Sequence, residues 1–88
     1  MLRLYVAGAT PRSARAIATV KAICSDYVPG QYELEVIDIY QQPHIAHDEQ
    51  IVAVPALVRV MPRPVRTFIG DMSNVERLLA GLDFHRAS

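Results

Sequence analysis

Residues 54–70 of this chain read VPALVRVMPRPVRTFIG, and this stretch decides the fold. Two β-rich runs are separated by Pro62-Arg63-Pro64, and Pro55 lies at the start of the first run. Extended runs bounded by proline in this way predict a β-hairpin. Because an X-Pro peptide bond can be cis or trans at modest cost, the stretch can also carry a conformational choice.

Two further strands are predicted before the hairpin. Residues 2–7 alternate, so that Leu2, Leu4 and Val6 share one face. Residues 32–40 begin by alternating and end nearly continuously apolar, as expected of a strand that is buried on both faces. With a helix between them, the two strands predict a right-handed βαβ unit.

Proline and capping residues mark two helices in the first half of the chain. Thr10-Pro11 pairs a favoured N-cap with a favoured first helical residue, so we expect a helix from there to about Tyr27. Its predicted buried stripe consists of Ile17, Val20, Cys24, Tyr27 and Val28. Pro43 starts a second, short helix that is predicted to reach Ile51 or Val52.

A third helix is predicted directly after the hairpin. Ser73 and Glu76 have the spacing of a capping box, in which each side chain bonds a backbone N–H near the helix start. The predicted buried stripe of this helix is Val75, Leu78, Leu79 and Leu82. The predicted order of elements is therefore β-α-β-α-β-β-α.

Composition limits the class of protein and its partners. The 88 residues are 51% hydrophobic and predict one domain over residues 1–88. Nine basic and nine acidic residues give zero net charge, which provides no reason to expect nucleic acid or an anionic membrane as partner. There is no apolar run of about 18 residues, and the single cysteine fits a reducing compartment. We expect a cytoplasmic α/β protein whose partner is a protein or a small molecule.

The predicted order is thioredoxin-like, but the thioredoxin thiols are absent. That chemistry needs a thiolate at the start of the first helix and usually a resolving cysteine three residues later. The corresponding positions hold Thr10 and Ser13, while Cys24 lies three turns along the helix on its apolar stripe. The sequence therefore predicts no catalytic residue.

A metal site is also disfavoured. His44 and His47 are spaced i, i+3 beside Asp48 and could form part of a zinc or nickel site. No third and fourth ligands are evident in the sequence, so a solvated helix face is the preferred interpretation. We predict neither a metal nor a cofactor.

Several motifs together resemble the KaiB family of circadian clock proteins. They are Leu4-Tyr5-Val6-Ala7-Gly8 with Thr10-Pro11, Val36-Ile37-Asp38 with Pro43, Pro64-Val65-Arg66, Ile69-Gly70-Asp71 with Ser73, and Gly81-Leu82-Asp83. The resemblance runs without an evident gap from about Leu2 to Phe84. It identifies the chain as a KaiB-like protein with a thioredoxin-like fold.

The resemblance implies a non-enzymatic regulator that binds the KaiC ATPase and autokinase ring and modulates its phosphorylation cycle. In cyanobacteria such a regulator also captures KaiA and displaces the thioredoxin-like sensor of a histidine kinase. Two alternatives stay open from the sequence. One is a thioredoxin-like redox or glutathione-handling enzyme that uses Ser13 or Cys24, and the other is a stand-alone KaiB-like sensor domain.

The resemblance also implies two folds for one sequence. One is a thioredoxin-like monomer, in which Val54-Pro55 is cis, and the other is a tetrameric ground state with a different second half. Pro55, Pro64, Gly81 and Asp83 are the residues that the resemblance assigns to this switch. The capping box favours the thioredoxin-like monomer, and Gly81→Ala is expected to favour helix by up to about 1 kcal/mol.

Candidate partner contacts follow from the same motifs. Arg15 and Arg66 match the family pattern, and arginine is enriched at interface centres because its planar fork makes several bonds at once. Glu33, Glu35 and Gln50 depart from the pattern, since cyanobacterial members tend to have apolar or basic contact residues there. We therefore predict Arg15 and Arg66 as candidate partner-binding residues, with an ordinary surface salt bridge as the alternative for each.

Overall fold

The computed structural model describes residues 1–48, 51, 53–61, 63–70 and 72–84. Within them the element order is β-α-β-α-β-β-α, as the sequence predicts. The elements are β1 (Leu2–Val6), α1 (Pro11–Tyr27), β2 (Leu34–Asp38), α2 (Pro43–Asp48), β3 (Ala56–Arg59), β4 (Arg66–Ile69) and α3 (Val75–Leu82). The thioredoxin-like α/β order is therefore confirmed.

The described strands form one mixed sheet in the order β2-β1-β3-β4. β1 pairs with β2 in parallel and with β3 antiparallel, and β3 with β4 forms the predicted hairpin. The register gives the sheet two distinct ends. We call one the Pro55 end, where β1 finishes at Val6 and β3 begins, and the other the Pro64 end, where Leu2, Arg59 and Arg66 lie on neighbouring strands.

The first helix has the predicted bounds but buries a different stripe. Thr10 caps it, because its Oγ1 accepts a hydrogen bond from the Ser13 N–H at 3.1 Å, and Pro11 opens the first turn. Its buried residues are Ser13, Ala16, Val20 and Ile23, while the rest of the predicted stripe, Ile17, Cys24, Tyr27 and Val28, is only partly buried. The small Ser13 and Ala16 side chains turn towards the sheet, which an apolar pattern alone does not indicate.

β2 is an edge strand, so the prediction that it is buried on both faces is wrong. It covers residues 34–38 rather than 32–40, and it pairs only with β1. Val36 remains 40% exposed, whereas Ile37 is buried. A strand at the edge of a sheet has a neighbour on one side only, so its apolar run cannot be covered completely.

α2 is shorter than predicted. Its described residues are Pro43–Asp48, Ile51 lies outside any helix, and residues 49, 50 and 52 lie outside the described part of the chain. Pro55 follows soon after, and the residue before a proline disfavours helical backbone. Ile45 and Ile51 nevertheless act as the predicted anchors, because both pack against a cluster of Tyr5, Ile37 and Ala56.

The principal core lies on the opposite face of the sheet, beneath α1 and α3. Leu2, Leu4 and Val6 share this face as predicted, and all are buried. The other buried members are Ala16, Val20, Ile23, Leu57, Met72, Leu78, Leu82 and Phe84. Burial of leucine-sized side chains contributes roughly 1.5–3 kcal/mol each, so this face supplies most of the driving force for folding.

α3 exists as predicted, but the predicted cap is wrong by one residue. The N-cap is Asn74, whose Oδ1 accepts a hydrogen bond from the Arg77 N–H at 3.1 Å, rather than the predicted Ser73. Asparagine and serine cap about equally well, so cap preference alone does not select between them. The shift leaves Val75 39% exposed rather than buried, while Leu78 and Leu82 face the core.

Candidate functional site

The Pro55 end holds a groove at the start of α1. The cis Val54–Pro55 peptide faces the first turn of α1 across a cavity of about 390 Å³. Thr10 Oγ1 lies 2.9 Å from Ser13 Oγ, and the buried Ser13 hydroxyl also accepts a hydrogen bond from the Ala7 N–H at 3.4 Å. The groove therefore has hydroxyl groups in contact at the two positions where thioredoxin chemistry would need sulfur.

The only thiol of the chain does not reach this groove. Cys24 is partly buried in the last turns of α1 and lies with Val28, Pro29 and Tyr32 in a separate depression. Burial raises the pKa of the Cys24 thiol, so less of the reactive thiolate forms near neutral pH. The geometry gives no support to the redox alternative based on Ser13 or Cys24.

Asp38 fastens the ends of β1 and β2 beside the groove. Its Oδ1 accepts hydrogen bonds from the Gly8 N–H at 3.1 Å and from the Tyr40 N–H at 2.9 Å. Both donors would otherwise be orphans at the ends of strands. Asp38 is the acidic residue of the Val-Ile-Asp motif, and its contacts give that motif a structural role.

The histidines of α2 do not form a site within the described part of the chain. His44 and His47 are exposed, and His47 Nδ1 lies 3.5 Å from Asp48 Oδ1. Among the described residues, no group of three or more His, Cys, Asp or Glu side chains converges as a metal site would require.

The Pro64 end is organised around a buried arginine that the sequence analysis did not single out. Arg59 is 2% exposed and lies on the same face of β3 as Leu57. Its Nη2 donates to the Pro64 carbonyl at 3.1 Å, and its Nη1 donates to the Leu82 carbonyl at 3.5 Å and to Asp83 Oδ2 at 3.3 Å. Side chains alternate between the two faces of β3, so Arg59 shares a face with the buried Leu57. This spacing of two residues was the sequence signal that could have indicated the burial of Arg59.

Met1 also contacts this end of the sheet. Its amino group donates to the Met61 carbonyl at 2.7 Å, and its carbonyl accepts from the Val60 N–H at 2.9 Å. The first residue is therefore held against the connection between β3 and β4.

Gly81 and Asp83 have different roles at the end of α3. Asp83 is the C-terminal cap, with φ of 58°, whereas Gly81 lies inside the helix. The Gly81 backbone packs directly on the Phe68 ring, and a Cβ at this position would overlap the ring atoms. The expectation that alanine at Gly81 simply favours helix therefore omits a steric cost.

The residues that the resemblance assigns to the fold switch do not lie together. Pro64 and Asp83 meet around Arg59 at the Pro64 end, and Gly81 packs nearby on β4. Pro55 lies at the opposite end of the sheet, beside the α1 groove. The Arg63–Pro64 peptide bond is cis, like that of Val54–Pro55.

The two candidate contact arginines are also far apart in the topology. Arg15 is exposed in the second turn of α1, which begins at the Pro55 end. Arg66 is exposed at the start of β4, directly opposite Arg59 at the Pro64 end. Glu33 and Glu35 are exposed along the β2 edge, and Gln50 lies outside the described residues. Arg15 and Arg66 therefore belong to two surfaces.

An apolar surface, also missed from the sequence, lies on the α2 side of the hairpin. We call it the open sheet face, and it consists of Val58, Val60, Val65, Thr67 and Ile69. This part of the sheet is uncovered, with Val65 59% and Ile69 57% exposed. Exposed aliphatic side chains that are clustered in this way favour a protein contact.

The described part of the chain contains no helix that is long and apolar enough to cross a membrane.

The fold is that of a thioredoxin-like domain without the thiol pair, and solved structures agree. The N-terminal domain of Synechococcus elongatus SasA superposes with a TM-score of 0.76 at 27% identity, over 92% of this chain and 76% of that one. Deadhead (Thioredoxin-1) of Drosophila melanogaster gives a TM-score of 0.70 at 17% identity, over 92% of this chain and 78% of that one. The latter likeness shows the fold alone.

Sequence relatives define the family. The KaiB domain model matches residues 3–84. The circadian clock oscillator protein KaiB of Prochlorococcus marinus is 48% identical over 83 residues, which cover 94% of this chain and 78% of that protein. The KaiB of Nostoc punctiforme is also 48% identical, over 94% of this chain and 80% of that protein. The chain belongs to the KaiB family, and the predicted membership is confirmed.

Proposed function

We propose that this chain is a non-enzymatic clock-type regulator that binds a KaiC-like ATPase and autokinase ring and modulates its phosphorylation cycle. The observation that carries the proposal is the KaiB match over nearly the whole chain, on a thioredoxin-like fold that has Thr10 and Ser13 in place of thiols. Such a protein acts by contact rather than by turnover. We place it in the cytoplasm, as one domain over residues 1–88 that needs no cofactor.

The proposed docking surface for the ring is the open sheet face. Val65 and Ile69 offer exposed aliphatic area, and Arg3, which lines the same surface, supplies a charged margin. Arg66 is paired with Arg59 and points to the other face of β4, so it is proposed as a contact at the strand edge. An apolar centre with an arginine at its margin is a common composition for protein interfaces. Arg15, at the other end of the molecule, is proposed as a contact for a second partner.

The thioredoxin-like fold also suggests two further proteins that would interact with this chain or compete with it. A thioredoxin-like sensor domain of a histidine kinase would compete with this chain for the ring, and the likeness to the SasA N-terminal domain supports that competition. A KaiA-like protein is the other proposed partner.

The described form is proposed to be the partner-binding monomer. We propose that it exchanges with a tetrameric ground state, and that Pro55, Pro64, Gly81 and Asp83 take part in the exchange. The continuous apolar stripe of α3, which packs Leu78 and Leu82 into the core, supports predominance of the thioredoxin-like form. Sedimentation of the free protein should then give mainly the monomer mass.

The docking proposal is tested by binding to a purified KaiC-like ring, measured by native mass spectrometry and calorimetry in each nucleotide state. Ile69→Glu places a charge on the open sheet face and should abolish binding. Val75→Glu is the matched control, since Val75 is also exposed, and a carboxylate in the first turn of a helix is favourable. Equal binding by both variants would contradict the proposed surface, and no binding by the parent chain in any state would contradict the function.

A further inference from the structure

Arg59 is the only arginine with a buried side chain in the described part of the chain. It lies at the end of β3 and extends over the face that carries the main core, next to Leu2 and Leu57. Removing a guanidinium from water is expensive unless its donors find acceptors. Its Nε has no hydrogen-bond partner among the described residues, so its stabilisation depends on the two Nη groups.

The acceptors of Arg59 come from two segments that are distant in sequence. Pro64 belongs to the connection that leads into β4, and Leu82 is the last residue of α3. The Leu82 carbonyl is one of those that a helix end leaves without an internal partner, and a cation there also complements the helix dipole. The buried Arg59 side chain therefore donates hydrogen bonds to backbone carbonyls of both the hairpin connection and the end of α3.

Asp83 completes the arrangement from the solvent side. Its carboxylate forms an ion pair with Arg59, and its side chain is 69% exposed whereas that of Arg59 is 2% exposed. Only one member of the ion pair, the arginine, is therefore buried. The arginine cannot leave without exposing the core, but the aspartate can turn away into water.

We infer that Arg59 is a conformational latch, which couples the β3–β4 connection to the C-terminus of α3 so that β4 and α3 open together. Apart from the latch, α3 and β4 are in contact in the described part of the chain, including the Gly81 backbone on the Phe68 ring. With the latch, displacement of α3 removes the acceptors that keep Arg59 buried, and displacement of Pro64 does the same. The latch acts in the free protein, whichever partner the protein binds.

The chain offers a matched control for Arg59. Arg66 is its direct cross-strand neighbour, carries the same side chain and belongs to the same hairpin, but it is exposed. Substitution of Arg66 removes a positive charge at the same end of the sheet without touching the latch.

The experiment is amide hydrogen exchange on the full chain, comparing parent, Arg59→Met, Arg59→Lys, Asp83→Asn and Arg66→Met. The amides compared are those of β4, those of the last turns of α3, and those of β1 as an internal reference. Opening of part of a protein appears as a common loss of protection within one unit. Asp83→Asn is chosen because asparagine tolerates the left-handed backbone of the cap and removes only the charge.

We expect Arg59→Met to lower protection in β4 and α3 together, by about tenfold or more relative to β1, which is the size of a lost charged hydrogen bond. Arg59→Lys should restore part of it, because lysine keeps the charge but not the planar fork. Asp83→Asn should lower both elements in parallel by a smaller factor, and Arg66→Met should change neither. If Arg59→Met does not fold, the Arg59→Lys and Asp83→Asn variants test whether β4 and α3 lose protection together.

Three results would overturn the inference. Protection in β4 and α3 could change independently, which would show that Arg59 does not couple them. All elements including β1 could lose protection equally, which would assign Arg59 to general stability. Arg66→Met could match Arg59→Met, which would make the effect one of net charge at the Pro64 end.

Discussion

The two ends of the sheet are built on different principles. At the Pro55 end, the helix start is assembled from neighbours in sequence, with Thr10 capping the helix that Pro11 opens and the Ser13 hydroxyl completing the turn, and Asp38 of β2 adds a contact to the Gly8 N–H. The Pro64 end joins residues 59, 64, 82 and 83 through one buried cation. A locally built end tolerates the loss of one contact, whereas an end built on a shared charge does not. A mutation at the Pro55 end should therefore destabilise only nearby residues, whereas a mutation at the Pro64 end should destabilise several elements.

The largest expected effect comes from restoring sulfur to the Pro55 end. Thr10→Cys combined with Ser13→Cys, in a Cys24→Ser background, should form an intramolecular disulfide, because the two hydroxyl oxygens are already 2.9 Å apart. Each single variant should keep a free thiol. Thiol titration and intact mass before and after mild oxidation measure the result.

The control for this double variant is Thr10→Ser with Ser13→Cys, which supplies only one sulfur. Failure of the double variant to oxidise, with its fold intact by circular dichroism, would contradict the geometric equivalence to a dithiol site.

A smaller effect is expected at the Pro64 end from Gly81→Ala. Alanine gains up to about 1 kcal/mol of helix propensity, but overpacking against Phe68 costs about 1–3 kcal/mol, so we expect a net loss of about 1 kcal/mol in the free energy of unfolding. Urea denaturation measures the change. This reverses the expectation drawn from helix propensity alone.

Phe68→Leu provides the matched test for Gly81→Ala. In the parent chain it should destabilise, since the ring packs on the core, and in the alanine variant it should relieve the overlap. A stabilised Gly81→Ala protein would mean that the ring moves aside without cost.

A similarly modest effect distinguishes the observed cap of α3 from the predicted one. Asn74→Ala should cost about 1 kcal/mol, because the Arg77 N–H loses its acceptor. Ser73→Ala should cost less, since Ser73 is not the N-cap. Thermal denaturation of the two variants in parallel gives the order, and the opposite order would restore the capping box of Ser73 and Glu76.

Predictability from sequence follows the same division between the two ends. The element order, the start of α1 and the hairpin were predicted correctly, because proline, cap and alternation signals act over a few residues. The edge position of β2 depends on which strands pair, and the stripe of α1 depends on where small residues meet the sheet. Neither is encoded in a local pattern.

The remaining features that were not predicted depend on competition between adjacent capping residues and on contacts between residues that are distant in sequence. Ser73 and Asn74 are both good caps in adjacent positions, and only the packing of Leu78 and Leu82 selects between the two helix frames. The burial of Arg59 was not predicted, because an arginine in a strand is usually exposed. The acceptors that stabilise it come from residues 64, 82 and 83, of which the last two are distant in sequence. Family resemblance located Pro64, Gly81 and Asp83 without indicating the side chain that connects two of them.

The hydrogen bonds of Met1 have a practical consequence for labelling. Because its amino group and carbonyl are both held by the β3–β4 connection, a fluorophore attached at residue 1 would sit beside the Pro64 end and far from the α1 groove. A second dye on Arg15→Cys, in a Cys24→Ser background, would mark the other end. The distance between the dyes would then report rearrangement of the hairpin connection in single molecules, with no label on α3 itself.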